Sequence, residues 1–140
     1  MSVREGCGTY RRETEDPRVG EPYYGGDFRR DLKVGTPGAI RAIYSFTGEI
    51  HWSFELEVGS PAAGVLGTAG GIVFAASDEG YLIALDSKTG NALWKYQTGD
   101  KIRSSPISYS IDGQQRIAIS TSSSLVTFGL QSNGLVEIGH

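Results

Sequence analysis

The chain has 140 residues, 39% of them hydrophobic and 21% charged, with 20 glycines and a net charge of −3. An isoelectric point near 5.3 offers no basic surface to nucleic acid, and no apolar run approaches the length of a membrane span. The single cysteine, Cys7, excludes an internal disulfide, and no Cys/His cluster has the spacing of a metal site.

Residues 1–37 hold seven of the 13 basic and seven of the 16 acidic side chains, and neither a helical nor a strand period runs through them. Mixed charge with few apolar groups cannot offset the entropy of ordering, so an irregular polar lead-in is expected. The alternative is a loop that caps a ligand face, with Tyr23, Tyr24 and Phe28 as its anchors. The first ten residues lack the apolar core of a secretory signal, so the chain as given reads as cytoplasmic.

Order begins at Gly38. Residues 38–52 read GAIRAIYSFTGEIHW and residues 80–94 read GYLIALDSKTGNALW. The two copies share the leading glycine, Ala42 with Ala84, Ser45 with Ser87, Thr47-Gly48 with Thr89-Gly90, and the closing Trp52 and Trp94. In the second copy Tyr81, Ile83 and Leu85 alternate with Leu82 and Ala84, and both faces are apolar, as a strand stacked between two sheets requires. Residues 86–90 then supply a turn. Asp86 bonds local amides, Gly90 permits a positive φ, and the chain returns carrying Trp94. In the first copy Tyr44 replaces that aspartate, so its turn is expected to be less fixed, and Phe46 beside it is expected to be exposed.

A third, weaker copy is read at an offset of 44 over residues 117–138. It sets Ile117 to Ser120 against Val73 to Ala76, Leu125-Val126 against Tyr81-Leu82, and Gly134 against Gly90. No tryptophan closes it. A period of about 40 residues built from short strands is the signature of a propeller, in which no unit buries its own apolar face. The predicted fold is all-β, a partial β-propeller of about two and a half four-stranded antiparallel blades over residues 38–140, with tryptophan-docking hairpins. Closed propellers have about four to eight blades, so the expectation is a fragment, a remnant or a subunit.

Other constellations read as structural. His51 precedes Trp52 on a strand with no second histidine nearby. Asp78-Glu79 occupy a turn beside Gly80, and paired carboxylates there allow acid/base or calcium chemistry only if something orders them. Ser104-Ser105 and residues 120–124 are serine-rich but have no base at hand in sequence.

The segments GAIRAI…TGEIHW, AAGVLGTAGGIVFAASDEGYLIALDSKTGNALWKYQTG and IRSSPISYSIDGQQRIAIS, in that order, resemble the carboxy-terminal blades of quinoprotein alcohol dehydrogenases. These are eight-bladed propellers that bind pyrroloquinoline quinone (PQQ) beside a calcium ion. The resemblance implies alcohol oxidation, with an aspartate base, calcium ligands and a cysteine pair all on earlier blades; none maps here, and no catalytic or metal residue is assigned. It implies that Gly64, Val65, Leu66 and Thr68 lie along an innermost strand at the cofactor, while the family's tryptophan at this point falls on Ala62. It also implies a periplasmic location for a typical member, and partner blades from the same polypeptide, a second subunit or another copy. A second class of function is a non-catalytic propeller scaffold of the same superfamily, such as the outer-membrane assembly lipoprotein.

Overall fold

The structure, a computed structural model, describes residues 1–35, 38–57, 63–131 and 134–137, and among them every regular element is a strand. The chain divides into two compact units, Glu5–Thr36 and the remainder, Met1–Arg4 with Pro37–His140.

The larger unit contains three antiparallel sheets. The first has the order β1 (Ser2–Val3), β4 (Ala39–Ile43), β5 (Ile50–Glu55). In the second, β6 (Leu66–Gly67), β7 (Ile72–Ala76), β8 (Tyr81–Asp86) and β9 (Ala92–Gln97) follow one another as neighbours. The third repeats that meander with β10 (Ile107–Ile111), β11 (Gln114–Ser120), β12 (Leu125–Gln131) and β13 (Gly134–Glu137). Two four-stranded blades and a three-stranded one agree with the partial propeller read from the repeat.

The middle sheet is buried on both faces, and its alternation decides which side chain goes where. Ile83 and Leu85 from β8 join Ala75, Ile40 and Leu56 in one core, against which Trp52, Phe54, Val73 and Tyr81 pack. Leu82 and Ala84 point the other way, with Phe74, Ala76, Ile102, Ile117, Ile119 and Phe128. Leu82, Ile83, Ala84 and Leu85 are each no more than 2% exposed. Full burial of such side chains contributes about 1.5 to 3 kcal/mol apiece for the larger ones, so these two seams hold the unit together.

The two strong repeats superpose down to their irregularities. Ala42 pairs with Trp52 and Ile43 with Ile50; Ala84 pairs with Trp94 and Leu85 with Ala92. Each hairpin therefore carries a register shift at the same place. The turns close alike: Tyr44 N donates to Glu49 O at 2.9 Å and Gly48 N to Tyr44 O at 2.8 Å, against Asp86 N to Asn91 O and Gly90 N to Asp86 O, both 2.9 Å. Gly48 and Gly90 have φ of 76° and 75°. Asp86 Oδ1 additionally accepts from Lys88 N, Thr89 N and Thr89 Oγ1 at 2.8 to 3.0 Å. Tyr44 makes no such cap, and its hydroxyl bonds His51 Nδ1 at 2.8 Å instead.

The third copy corrects the sequence alignment by one residue. Ile117 pairs with Phe128 and Ile119 with Val126, as Val73 pairs with Leu85 and Ala75 with Ile83. Phe128 thus stands in the place of Leu85, and Val126 rather than Leu125 faces the middle sheet, because the connection before β12 is one residue shorter. Gly134 does not occupy a turn like that of Gly90, since it lies in β13 directly opposite Gln131.

Residues 1–37 also differ from the irregular lead-in expected. Ser2 pairs with Ile40 and Val3 with Ala39, which adds a strand to the first sheet. In the smaller unit β2 (Gly6–Arg12) and β3 (Gly26–Gly35) form a two-stranded ladder with Tyr10 opposite Phe28. The pairing rests on backbone bonds and on the Tyr10 hydroxyl, which donates to Gly25 O at 2.7 Å, and such a ladder with charged neighbours leaves no alternating apolar pattern to read.

Candidate functional site

The four residues expected at a cofactor lie along or beside the short inner strand β6, and the structure gives them different roles. Gly64 N donates to Ser105 Oγ at 3.0 Å, and a Cβ at Gly64 would collide with that hydroxyl. Just before it, Ala63 O accepts from Ser2 Oγ at 2.6 Å. One dipeptide therefore ties all three sheets together. Val65 is 36% exposed, while Leu66 packs against the core between the second and third sheets. Thr68 Oγ1 donates to Ile72 O at 3.1 Å, closing the turn between β6 and β7 at the other end of the strand. Of the three side chains Val65 is the most exposed, and Thr68 lines the edge of a cleft between the second and third sheets. Ala62 lies outside the described residues.

The blade seam has a defined polar contact as well. Trp52 Nε1 donates to Ser87 O at 2.9 Å, and the indole lies over Gly90, where a Cβ would fall 2.6 Å from Cδ2 and Cε3. Among the described residues Trp94 packs against aromatic side chains. It meets Phe128 edge-on at 5.3 Å between ring centroids and stacks with Tyr96 at 5.8 Å.

The remaining candidates are placed as turn and surface groups. His51 is exposed and bonded to Tyr44. Asp78 and Glu79 sit in the β7–β8 turn, closed by Gly80 N to Ser77 O at 3.0 Å and by Gln97 Nε2 to Glu79 O at 3.1 Å. Ser104 Oγ donates to Ser120 O at 2.8 Å and accepts from Ser120 N at 3.0 Å, so it serves as a clasp. Among the described residues no group of three or more His, Cys, Asp or Glu is placed to hold a metal ion.

Sequence reasoning missed Asp100. It lies between the second and third sheets, where its Oδ1 accepts from Lys101 N at 2.7 Å and its Oδ2 is buried without a hydrogen-bond partner. The approach of the Ser123 hydroxyl, then the Lys101 amide, holds the carboxyl below the usual aspartate range. The nearest sequence signal is the Gly99-Asp100 turn after Gln97, which nothing distinguishes from an ordinary loop.

Among the described residues a cleft follows each seam. One of about 230 Å³ opens between the first two sheets beside Phe54, Leu56, Tyr81 and Lys95; Lys95 Nζ stands 4.0 Å above the Tyr81 ring and 4.0 Å from Glu57 Oε2. The other, about 140 Å³ and largely apolar, lies between Ile72, Phe74, Ile117, Phe128 and Leu130.

Residues 36–117 match the glucose/ethanol/alcohol dehydrogenase β-propeller domain (PQQ), more than half of the chain. The chain belongs to that family. A quinoprotein ethanol dehydrogenase of Pseudomonas putida is 38% identical over 112 residues, 79% of this chain and 18% of that protein. Among solved structures, a europium-containing methanol dehydrogenase overlays with a TM-score of 0.74 at 26% identity, covering 84% of this chain and 22% of its own. BamB from Moraxella catarrhalis overlays 97% of this chain and 38% of its own at a TM-score of 0.51 and 21% identity, a likeness of fold alone. The chain spans about a fifth of the length of the quinoprotein relatives it matches.

Proposed function

We propose that these residues serve as adjacent blades of a PQQ-dependent alcohol dehydrogenase and contribute part of the wall of its cofactor pocket. The observation that carries this reading is the family match over residues 36–117, which takes in β4 to β9, β6 included, and reaches the start of the third sheet. When bound, the quinone accepts the hydride of the alcohol. Within this chain, Gly64 and Val65 present a small, partly exposed surface that suits a planar group. Ser105 and Ser2 fix that strand by bonding Gly64 and Ala63, and Leu66 and Thr68 anchor its far half. A base and a cation site belong, on this reading, to other blades of the whole protein. The same reading places the whole protein in the periplasm, with calcium or a related cation beside the quinone.

The test is made on the native polypeptide carrying this segment, captured from its source with an antibody to residues 80–115. The expected result is an intact mass several times 15.0 kDa and dye-linked oxidation of ethanol or methanol that depends on added PQQ with Ca²⁺ or Eu³⁺. A large native polypeptide that neither binds PQQ nor oxidises these alcohols with either cation refutes the proposal.

A further inference from the structure

The cleft between the second and third sheets differs from its neighbour in having, among the described residues, no charged side chain in its lining. Its floor is core: Phe74, Ile117 and Phe128 are 4%, 4% and 1% exposed. Ile72 and Leu130 stand at its mouth, the first half-buried and the second 66% exposed. The Phe128 ring is held edge-on by Trp94 and Tyr96 at 5.3 and 5.1 Å between centroids, so the floor is fixed by its own packing and does not collapse into the opening. Two polar side chains reach the lining. Thr68 Oγ1 is committed, donating to Ile72 O at 3.1 Å and accepting from Ile72 N at 3.4 Å. Gln115 is committed by half. Its Nε2 donates to Ser108 Oγ at 2.8 Å, which leaves its carbonyl oxygen as an acceptor that a ligand can use.

We propose that this cleft binds a small neutral aromatic alcohol, a single ring bearing one hydroxyl, with the ring on Phe74, Ile117 and Phe128 and the hydroxyl donating to Gln115 Oε1. Volume, charge and hydrogen-bonding capacity each select that chemistry. The cleft measures about 140 Å³, and apolar cavities of about 150 Å³ walled by Leu, Ile and Phe stay dry and take up benzene. An apolar lining without a counter-charge rejects carboxylates and ammonium ions, which would lose hydration with no partner to replace it. Phenylalanine rings favour an aromatic guest through edge-to-face contact, and one remaining acceptor calls for one donor. The cleft continues the core between the second and third sheets, so a ring seated there extends a packed seam that is already formed. It lies at the end of β6 away from Gly64 and Val65, and filling it needs neither quinone nor cation.

The probe is benzyl alcohol, titrated into the isotope-labelled 140-residue chain and followed by amide and methyl chemical shifts. Saturable shifts are expected at the methyls of Ile72, Ile117 and Leu130 and at the Gln115 side-chain amide, with a dissociation constant on the order of millimolar for so small a ligand. Nuclear Overhauser contacts should run from the ring protons of the probe to those methyls. Toluene should bind roughly fivefold more weakly, for want of one hydrogen bond, and benzoate should leave the spectrum unchanged. Gln115→Met should weaken benzyl alcohol to the level of toluene and leave toluene unaffected. Ile72→Phe puts a ring into the mouth and should weaken both by roughly tenfold or more; should that variant fail to fold, the Gln115→Met comparison still decides. Toluene binding as tightly as benzyl alcohol, or Gln115→Met weakening both alike, overturns the assignment of an alcohol. Shifts that do not saturate, or that fall equally on the exposed Ile107 and Ile111, overturn the site itself. None of these readouts involves PQQ-dependent activity, so the two proposals fail separately.

Discussion

Replacing Gly90 by alanine should cost far more than replacing Gly48, although the two glycines share φ, turn bonds and position in the repeat. An L-residue at φ near 75° costs about 1 kcal/mol, and that strain is common to both variants. At Gly90 the new methyl would also fall 2.6 Å from Cδ2 and Cε3 and 3.0 Å from Cγ of Trp52, about 1 Å inside ordinary carbon contact. The indole cannot simply tilt away, because its Nε1 is bonded to Ser87 O at 2.9 Å. Overpacking of this kind adds about 1 to 3 kcal/mol, and loss of the indole bond about 1 more. Urea denaturation should therefore show Gly48→Ala near 1 kcal/mol and Gly90→Ala at about 3 to 5 kcal/mol, with unchanged m-values. In a Trp52→Ala background the two costs should converge. Equal costs in the wild-type background would refute the docking of Trp52 on Gly90.

Trp52→Ala and Trp94→Ala should each destabilise by about 2 to 4 kcal/mol, below the cost of a fully buried tryptophan because both side chains are only half buried; melts that leave both variants at wild-type stability would contradict the two seams. The Asp86 carboxyl is held below its ordinary value of 3.8, first by the Thr89 amide, then by the Thr89 hydroxyl and the Lys88 amide. A carboxylate depressed in the folded state contributes stability above its unfolded pKa and loses it as pH falls through that value and below. The stability gap between wild type and Asp86→Asn should accordingly be widest near neutral pH and close as pH falls from 3.8 through the lower folded-state value; a gap unchanged by acid would remove the turn cap from the account.

The parts of the fold legible in the sequence are those where alternation and turn chemistry act together. Residues 81–86 show apolar character on both faces, and that pattern appears only where a strand is covered twice. Asp86, Thr89 and Gly90 announce the turn because each side chain, or its absence, has a local backbone partner. The third sheet was misaligned by one residue because its connection before β12 is shorter, and a slip of one reverses which face each side chain takes. Its hairpin was misread for a related reason, since a glycine at the right distance from a strand suits a turn and a strand alike. The β2–β3 ladder was invisible because charged residues interrupt any period. At the candidate cofactor wall, sequence order located β6 but not the division of labour along it. That Gly64 needs no side chain becomes clear only when Ser105, 41 positions later, is seen filling the space.

The middle sheet is the one element that both seams depend on, whereas among the described residues each flanking sheet contributes to a single core. In a linear stack whose units are held mainly by nearest neighbours, opening proceeds from the ends inward. Amide protons of β7 and β8 should be the last to exchange with solvent, and the outermost ladders the first. The stack is therefore graded along its length, with its most persistent backbone in the middle sheet and its most adaptable backbone where further units would add.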